Sequence, residues 1–423
     1  MSKYLPTIVI LKTSLFHPAS FNLLKKMLVI FISLVLSFQS CALDSSDPSD
    51  RVEVKNPSFL PSNFLPAKRI PIGIPGDYKP CIAKLPNGDL LLVAFHAPTE
   101  GGVPKEYSFL YRSSDGGHTW SERKVLDILG REPYLSVISD GTVFISTHLL
   151  PKARGNDQGY TQSYLYRSTD GGSNWTATHI GFEDLEGVKE KSLVITGRNV
   201  LELENGSLIF GVGAPNGFEY LWKSFDKGKT WNRSLTCHFQ GVDQKILPFP
   251  ILGEAFFWET PSKAILAVCR ISPKFFSALP GTTIPKNKID HYERMVLYRS
   301  EDEGRNWFLE EIGSYYGEMY PSILRLRDGR LLFTFTVRAA VAPASPPLGV
   351  QAAFGEETNN GVDFTFNKDR IILDDKTPPG KLSGGGFGPT VQVDDETLVT
   401  SYSYRSLTQE THLEIVRWKI PSR

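Results

Sequence analysis

One eight-residue pattern recurs four times in this chain and limits its fold more than any other feature. Ser113–Trp120 (SSDGGHTW), Ser168–Trp175 (STDGGSNW), Ser224–Trp231 (SFDKGKTW) and Ser300–Trp307 (SEDEGRNW) carry Ser, Asp, Gly, Thr or Asn, and Trp at fixed places. Their aspartates lie 55, 56 and 76 residues apart, and four of the seven tryptophans fall inside them. Repetition at this period belongs to solenoids, propellers and arrays. The residue types describe a β-hairpin turn. Asp accepts from backbone N–H groups across the turn, Gly takes the left-handed position, and Trp packs beneath. An alternating strand precedes each copy, as in Ser108–Arg112 and Met295–Arg299.

A second motif interleaves with the first: apolar strand, Asn/Asp-Gly turn, apolar strand. It occurs at Asn87-Gly88, Asp140-Gly141, Asn205-Gly206 and Asp328-Gly329, with weaker copies at Thr260–Ala264 and Val393–Thr397. Six four-stranded units predict an all-β chain, a six-bladed β-propeller over residues 76–423. The strand Leu413–Trp418 is expected to pair with an N-terminal segment and close the ring. The 36 Gly and 29 Pro suit a turn-rich fold. Lys plus Arg and Asp plus Glu are both 46, which argues against nucleic acid as a partner. Cysteines at 41, 81, 237 and 269 form no CxxC pair, and no histidines sit at metal spacing, so neither a disulfide scaffold nor a structural zinc is expected.

Residues 1–41 hold four Lys and no acid, and Lys25-Lys26 precede an apolar run from Met27 to Phe38. Such a segment reads as an export signal, too short for a comfortable membrane span. Cys41, directly after the run, is a candidate for lipidation; plain cleavage after Ala42 is the alternative. Residues 42–75 read as linker and lead-in.

The S-x-D-x-G-x-[TN]-W turn resembles the Asp box of the sialidase (neuraminidase) superfamily, and the resemblance covers residues 76–420. The boxes speak for fold, and function has to come from the inner strands. The resemblance implies three arginines for a substrate carboxylate, a Tyr nucleophile with a Glu partner, and an Asp acid/base on a loop. In the register of the first arginine stands Lys79; Arg69-Ile70-Pro71, ten residues earlier, reads as a lead-in loop. Glu254 and Arg270, sixteen residues apart, match the partner Glu and second arginine, Arg294 the third, and Tyr320 the nucleophile. The loop His96–Glu106 has no Asp, so Glu100 is the acid/base candidate, with Glu106 and His96 behind it. Arg131-Glu132, Arg198-Asn199, Glu318, Arg338, Gly384–Gly388, Tyr402, Tyr404 and Arg405 recur at comparable strand positions.

This set implies a glycoside hydrolase acting on an anionic sugar, with no metal or cofactor. A neutral phenol approaches a carboxylate-bearing anomeric centre without repulsion, and with a pKa near 10 it needs a base. Glu254 would serve Tyr320, and Lys79, Arg270 and Arg294 would hold the substrate carboxylate. Lys79 for Arg and the missing Asp point to an acidic sugar other than an ordinary sialoside. The alternative is a non-catalytic propeller that binds glycans or proteins at the cell envelope; a related lyase is a third reading.

Overall fold

A computed structural model describes residues 50–100, 103–272, 292–339, 347–378 and 386–421. The export segment and Cys41 lie outside the described residues. The fold is all-β: antiparallel sheets follow one another along the chain. The first runs Asp77–Lys84, Leu90–His96, Tyr107–Ser113, Lys124–Val125, and the second Arg131–Val137, Val143–Leu149, Gln162–Ser168, Thr176–Ile180. In the third, Ile195–Thr196 and Leu201–Glu202 both pair with Leu208–Ala214, which pairs with Phe218–Ser224. The fourth joins Phe256–Glu259, Ile265–Ile271, Arg294–Ser300 and Asn306–Glu310, with His238–Phe239 added in parallel.

Thr99–Glu100 and Val103–Pro104 pair with each other, and the remaining strands form one ten-stranded sheet. One half holds Glu318–Arg325, Arg330–Val337, Gly349–Glu357 and Val362–Phe364; the other holds Thr390–Gln392, Thr397–Arg405 and Thr411–Lys419. The N-terminal hairpin joins the halves. Arg51–Lys55 pairs with Arg370–Ile372, and Phe64–Ile72 pairs with Thr411–Lys419. Part of the segment expected as linker and lead-in is therefore strand. Arg69 corrects its loop reading. It lies opposite Val416, its side chain is buried, and it donates to Leu373 O (2.7 Å), the Tyr402 hydroxyl (2.9 Å) and Glu414 (3.1 Å).

Middle strands such as Leu90–Phe95 are buried on both faces because each sheet packs on the next. Ile138, Phe144 and Leu165 meet Phe210 and Trp222; Ile209 and Leu221 meet Phe257, Val296 and Trp307. The last strands return to the first, with Val399, Leu413 and Ile415 against Ile82, Leu92 and Phe109. A cavity of about 580 Å³ is lined by residues from Asp77–Lys84, Arg131–Val137, Leu201–Glu202, Phe256–Glu259, Glu318–Arg325 and Thr390–Gln392.

The four repeated turns share one hydrogen-bond pattern. In the first, Ser113 Oγ donates to Asp115 Oδ1 (2.8 Å), Gly117 N donates to Ser113 Oγ (2.8 Å), and Thr119 N and Oγ1 donate to Asp115 (2.9 and 2.6 Å). Ser168/Asp170/Asn174, Ser224/Asp226/Thr230 and Ser300/Asp302/Asn306 repeat it. These bonds hold the carboxylates of all four below their ordinary range. Gly304 shows why the fifth place is Gly: φ is +93°, and a Cβ there would lie 2.4 Å from Leu221.

Candidate functional site

The site is built where inner strands begin. Asp77–Lys84, Arg131–Val137 and Glu318–Arg325 each lose pairing register after one or two residues. At each break stands a residue followed by proline: Lys79-Pro80, Glu132-Pro133 and Tyr320-Pro321. Proline has no N–H to give the ladder, so it sits comfortably at a bulge. The residue before each proline has left-handed backbone, with φ of +46° at Lys79, +56° at Glu132 and +60° at Tyr320. Glu254, just ahead of Phe256–Glu259, has φ +65°. Such conformations cost about 1–3 kcal/mol each and concentrate at functional sites.

Three of these four side chains are linked directly, and the fourth through Arg198. Lys79 Nζ lies 2.6 Å from Glu132 Oε1 and 3.4 Å from the Tyr320 hydroxyl. Arg198 Nη2 lies 3.3 Å from Glu132 Oε2 and 2.6 Å from Glu254 Oε1. Arg270 Nε lies 2.9 Å from Glu254 Oε2, and its Nη1 is 3.1 Å from Glu293. Arg338 donates to the Tyr320 hydroxyl at 3.2 Å. Beneath them, Phe387 packs edge-on to Tyr320 and under the Arg198 guanidinium, 4.4 Å from its ring centre.

Burial opposes ionisation of Glu132, but Lys79, Arg198 and Arg131 prevail and hold it well below the usual carboxylate range. Glu254 is held down, against burial, by Arg198 and Arg270. Burial drives Lys79 towards neutrality, but Glu132, Tyr320 and Tyr78 together outweigh it and raise its pKa. Glu106 goes the other way. Burial raises its pKa, only partly offset by Arg131 at 3.5 Å. Arg131 also reaches Glu132 Oε1 at 3.7 Å, so one guanidinium spans a carboxyl whose pKa is shifted up and one whose pKa is shifted down. His148, bonded to Ser163, is pushed down to about 4 by burial and Arg198.

Of the residues singled out from sequence, Lys79, Glu254, Arg270 and Tyr320 join this network. The Tyr320 hydroxyl meets Lys79 and Arg338, while the Glu254 oxygens meet Arg198 and Arg270. Arg294 does not join. Ile271 pairs with Arg294 and Arg270 with Met295, so alternation puts Arg294 on the opposite face of the sheet from Arg270. There it pairs with Glu311. Glu293, one residue earlier, reaches Arg270 instead. Glu100 lies in the short strand Thr99–Glu100, and its side chain is outside what the structure describes. His96 bonds Asp77 at 2.9 Å, which Arg123 also binds. Glu318 is held by Arg370, Ser314 and Tyr315 N. Tyr402 bonds Glu414 and Arg69. At Gly386 and Gly388 a Cβ would strike Ser403 (2.4 Å) and Val350 (2.3 Å), which is the close approach expected there; Gly384 and Gly385 lie outside the described residues. Glu132, Arg198 and Arg338 were visible only as recurring polar residues. The residue-Pro step inside three of the inner strands is the signal that picks out Glu132 beside Lys79 and Tyr320.

No family model and no curated protein matches the chain. Solved structures do. A protein of unknown function from Dyadobacter fermentans is 21% identical, with TM-score 0.61 over 84% of this chain and 98% of that one. An alpha-L-arabinofuranosidase from Fusarium graminearum, solved with an iminosugar inhibitor, is 14% identical, with TM-score 0.52 over 87% and 97%. A sialidase from Streptococcus pneumoniae is 13% identical, with TM-score 0.55 over 81% and 68%. The chain shares its fold with these solved structures, an arabinofuranosidase and a sialidase among them. Its neighbours include hydrolases that act on quite different sugars.

Proposed function

We propose that this chain is a glycoside hydrolase whose chemistry runs on Glu106 and Glu132. The observation that carries this reading is that both carboxyls meet one guanidinium, Arg131, at 3.5 and 3.7 Å, with Glu106 shifted up and Glu132 shifted down. Pairs of carboxyls pushed apart in this way divide into acid and base. Glu106 gives its proton to the leaving oxygen as the glycosidic bond breaks. Glu132 attacks the anomeric carbon through Oε2 and forms a glycosyl ester. Water then cleaves the ester and returns a proton to Glu106. Glu254 holds Arg198 and Arg270 in place around the pair. The test is a screen of fluorogenic aryl glycosides, followed by Glu132→Gln with added azide. Azide rescue giving a glycosyl azide supports attack by Glu132; no turnover of any glycoside sinks the hydrolase reading and leaves a binding propeller.

A second reading takes Tyr320 as the attacking group, with Glu132 as its base. It is favoured by the place of the Tyr320 hydroxyl, 3.4 Å from Lys79 Nζ and 3.2 Å from Arg338 Nη1. Glycosyl-tyrosine recovered by mass spectrometry from quenched turnover would select it. We further read the ring as a propeller of six four-stranded units, supported by the six inner strands around one cavity. Residues 1–41 we read as an export signal, with Cys41 open to lipidation.

A further inference from the structure

We propose that the sugar bound at this site is neutral, because Lys79, Arg198 and Arg270, cations that would grip a substrate carboxylate, are already gripped by the protein's own carboxylates. This rests on the hydrolase reading above and narrows its substrate class. The acidic sugar expected from sequence assumed that Lys79, Arg270 and Arg294 were available. In the fold, Lys79 is committed to Glu132 at 2.6 Å. Arg270 is held on two sides, by Glu254 at 2.9 Å and Glu293 at 3.1 Å. Arg198 bridges Glu132 and Glu254. Arg294 faces the other side of its sheet and pairs with Glu311.

These pairs are hard to exchange. Lys79, Arg198, Glu132 and Glu254 are all close to fully buried, with side-chain exposures of 5%, 2%, 12% and 10%. An incoming carboxylate has to expel one of the glutamates, which then becomes a buried charge without its partner, a strongly unfavourable state. Rotation out of the way is restricted, since Lys79, Glu132 and Glu254 leave left-handed backbone fixed by strand ends. Sugar hydroxyls face no such barrier. They donate to the remaining lone pairs of Glu132 and Glu254 and accept from spare N–H groups of the same cations without displacing anything.

The test uses the full chain and a panel of 4-methylumbelliferyl glycosides: neutral pentosides and hexosides, an α-sialoside and uronides. A kcat/KM at least tenfold higher on some neutral glycoside than on any acidic one is expected. Glu293→Gln loosens one grip on Arg270 and should raise the acidic-to-neutral ratio about tenfold, the effect of one charge-assisted hydrogen bond. Wild-type preference for the sialoside or a uronide overturns the inference and leaves the hydrolase reading standing. An unmoved ratio in Glu293→Gln overturns it too, since internal pairing would then not set the preference. If nothing turns over, the hydrolase reading fails, and saturation-transfer NMR with the free sugars decides the rest. Saturation of neutral sugars upholds neutral recognition; saturation of acidic sugars alone, or of none, overturns it.

Discussion

Two rings of left-handed residues run through this molecule, and they handle backbone strain in opposite ways. In the outer turns the second left-handed place is glycine in all four copies: Gly117, Gly172, Gly228 and Gly304. Where the first place is not glycine, Lys227 and Glu303 stand on an exposed loop and pair with Glu202 and Lys223 at the surface. In the inner ring the same region of φ is occupied by Lys79, Glu132, Glu254 and Tyr320, whose side chains are all largely buried. A fold that needs only the turn takes glycine, which enters it without steric cost. A fold that keeps Lys, Glu and Tyr there, at a cost, needs the side chain. The comparison separates structure from function without reference to any relative.

The sharpest way to break it is to neutralise the inner ring. Glu106→Gln should lower kcat by about 10²–10⁴, the range for loss of a general acid. The pH profile carries the sign. Glu106 is raised, so activity in the wild type falls as pH climbs through its pKa, above the ordinary 4.5. Glu132 is depressed, so the acidic limb lies below that value. Glu106→Gln should erase the upper limb, and an unchanged upper limb would assign the acid to another group.

On the outer side the largest effect should come from packing. Trp307 is fully buried and stacks on Phe239 at 5.8 Å. Trp307→Ala should cost about 3–5 kcal/mol in chemical denaturation. The equivalent change at the partly exposed Trp120 should cost clearly less, and kcat should hold in both as long as the protein is folded. Equal losses would mean that the four turns are not as unequal as their burial.

The two rings also differed in legibility. The turns could be read because each places Ser, Asp, Gly and Trp at fixed spacing, and hydrogen-bond geometry leaves no other residue types to choose from. Lys79, Glu254, Arg270 and Tyr320 could be read from order and spacing along strands. Arg294 could not. Its strand was placed correctly, but one residue decides which face a side chain takes, and Glu293 holds the face that was sought. The N-terminal strand Phe64–Ile72 was hidden by Pro66 and Pro71, which break its apolar alternation although Ala67–Ile72 pair with the last strand. Arg294 therefore supplies a third prediction, smaller than the others: Arg294→Lys should leave kcat/KM unchanged under the glycoside assay, and a loss like that of Glu106→Gln would put it back in the site.

The smallest effect belongs to the turn aspartates, and pH isolates it. Asp170 is bonded by Asn174 through both backbone and side chain, and by Ser168, which together hold its carboxylate below the ordinary 3.8. A depressed carboxyl stabilises the folded state above its ordinary pKa, and that contribution drains away as pH falls through the folded value. Asp170→Asn keeps the shape and one acceptor oxygen but has no charge to protonate. The variant should therefore be slightly less stable than the wild type at neutral pH, and the gap should close on acidification from about pH 5 to about pH 2. Urea midpoints measured across that range read the gap directly. Asp115→Asn should behave alike, since Thr119 and Ser113 make the same bonds there. A gap that stays constant with pH would mean that the turns are held by the geometry of the acceptor rather than by its charge, and the outer ring would then lack the electrostatic term that the inner ring uses throughout.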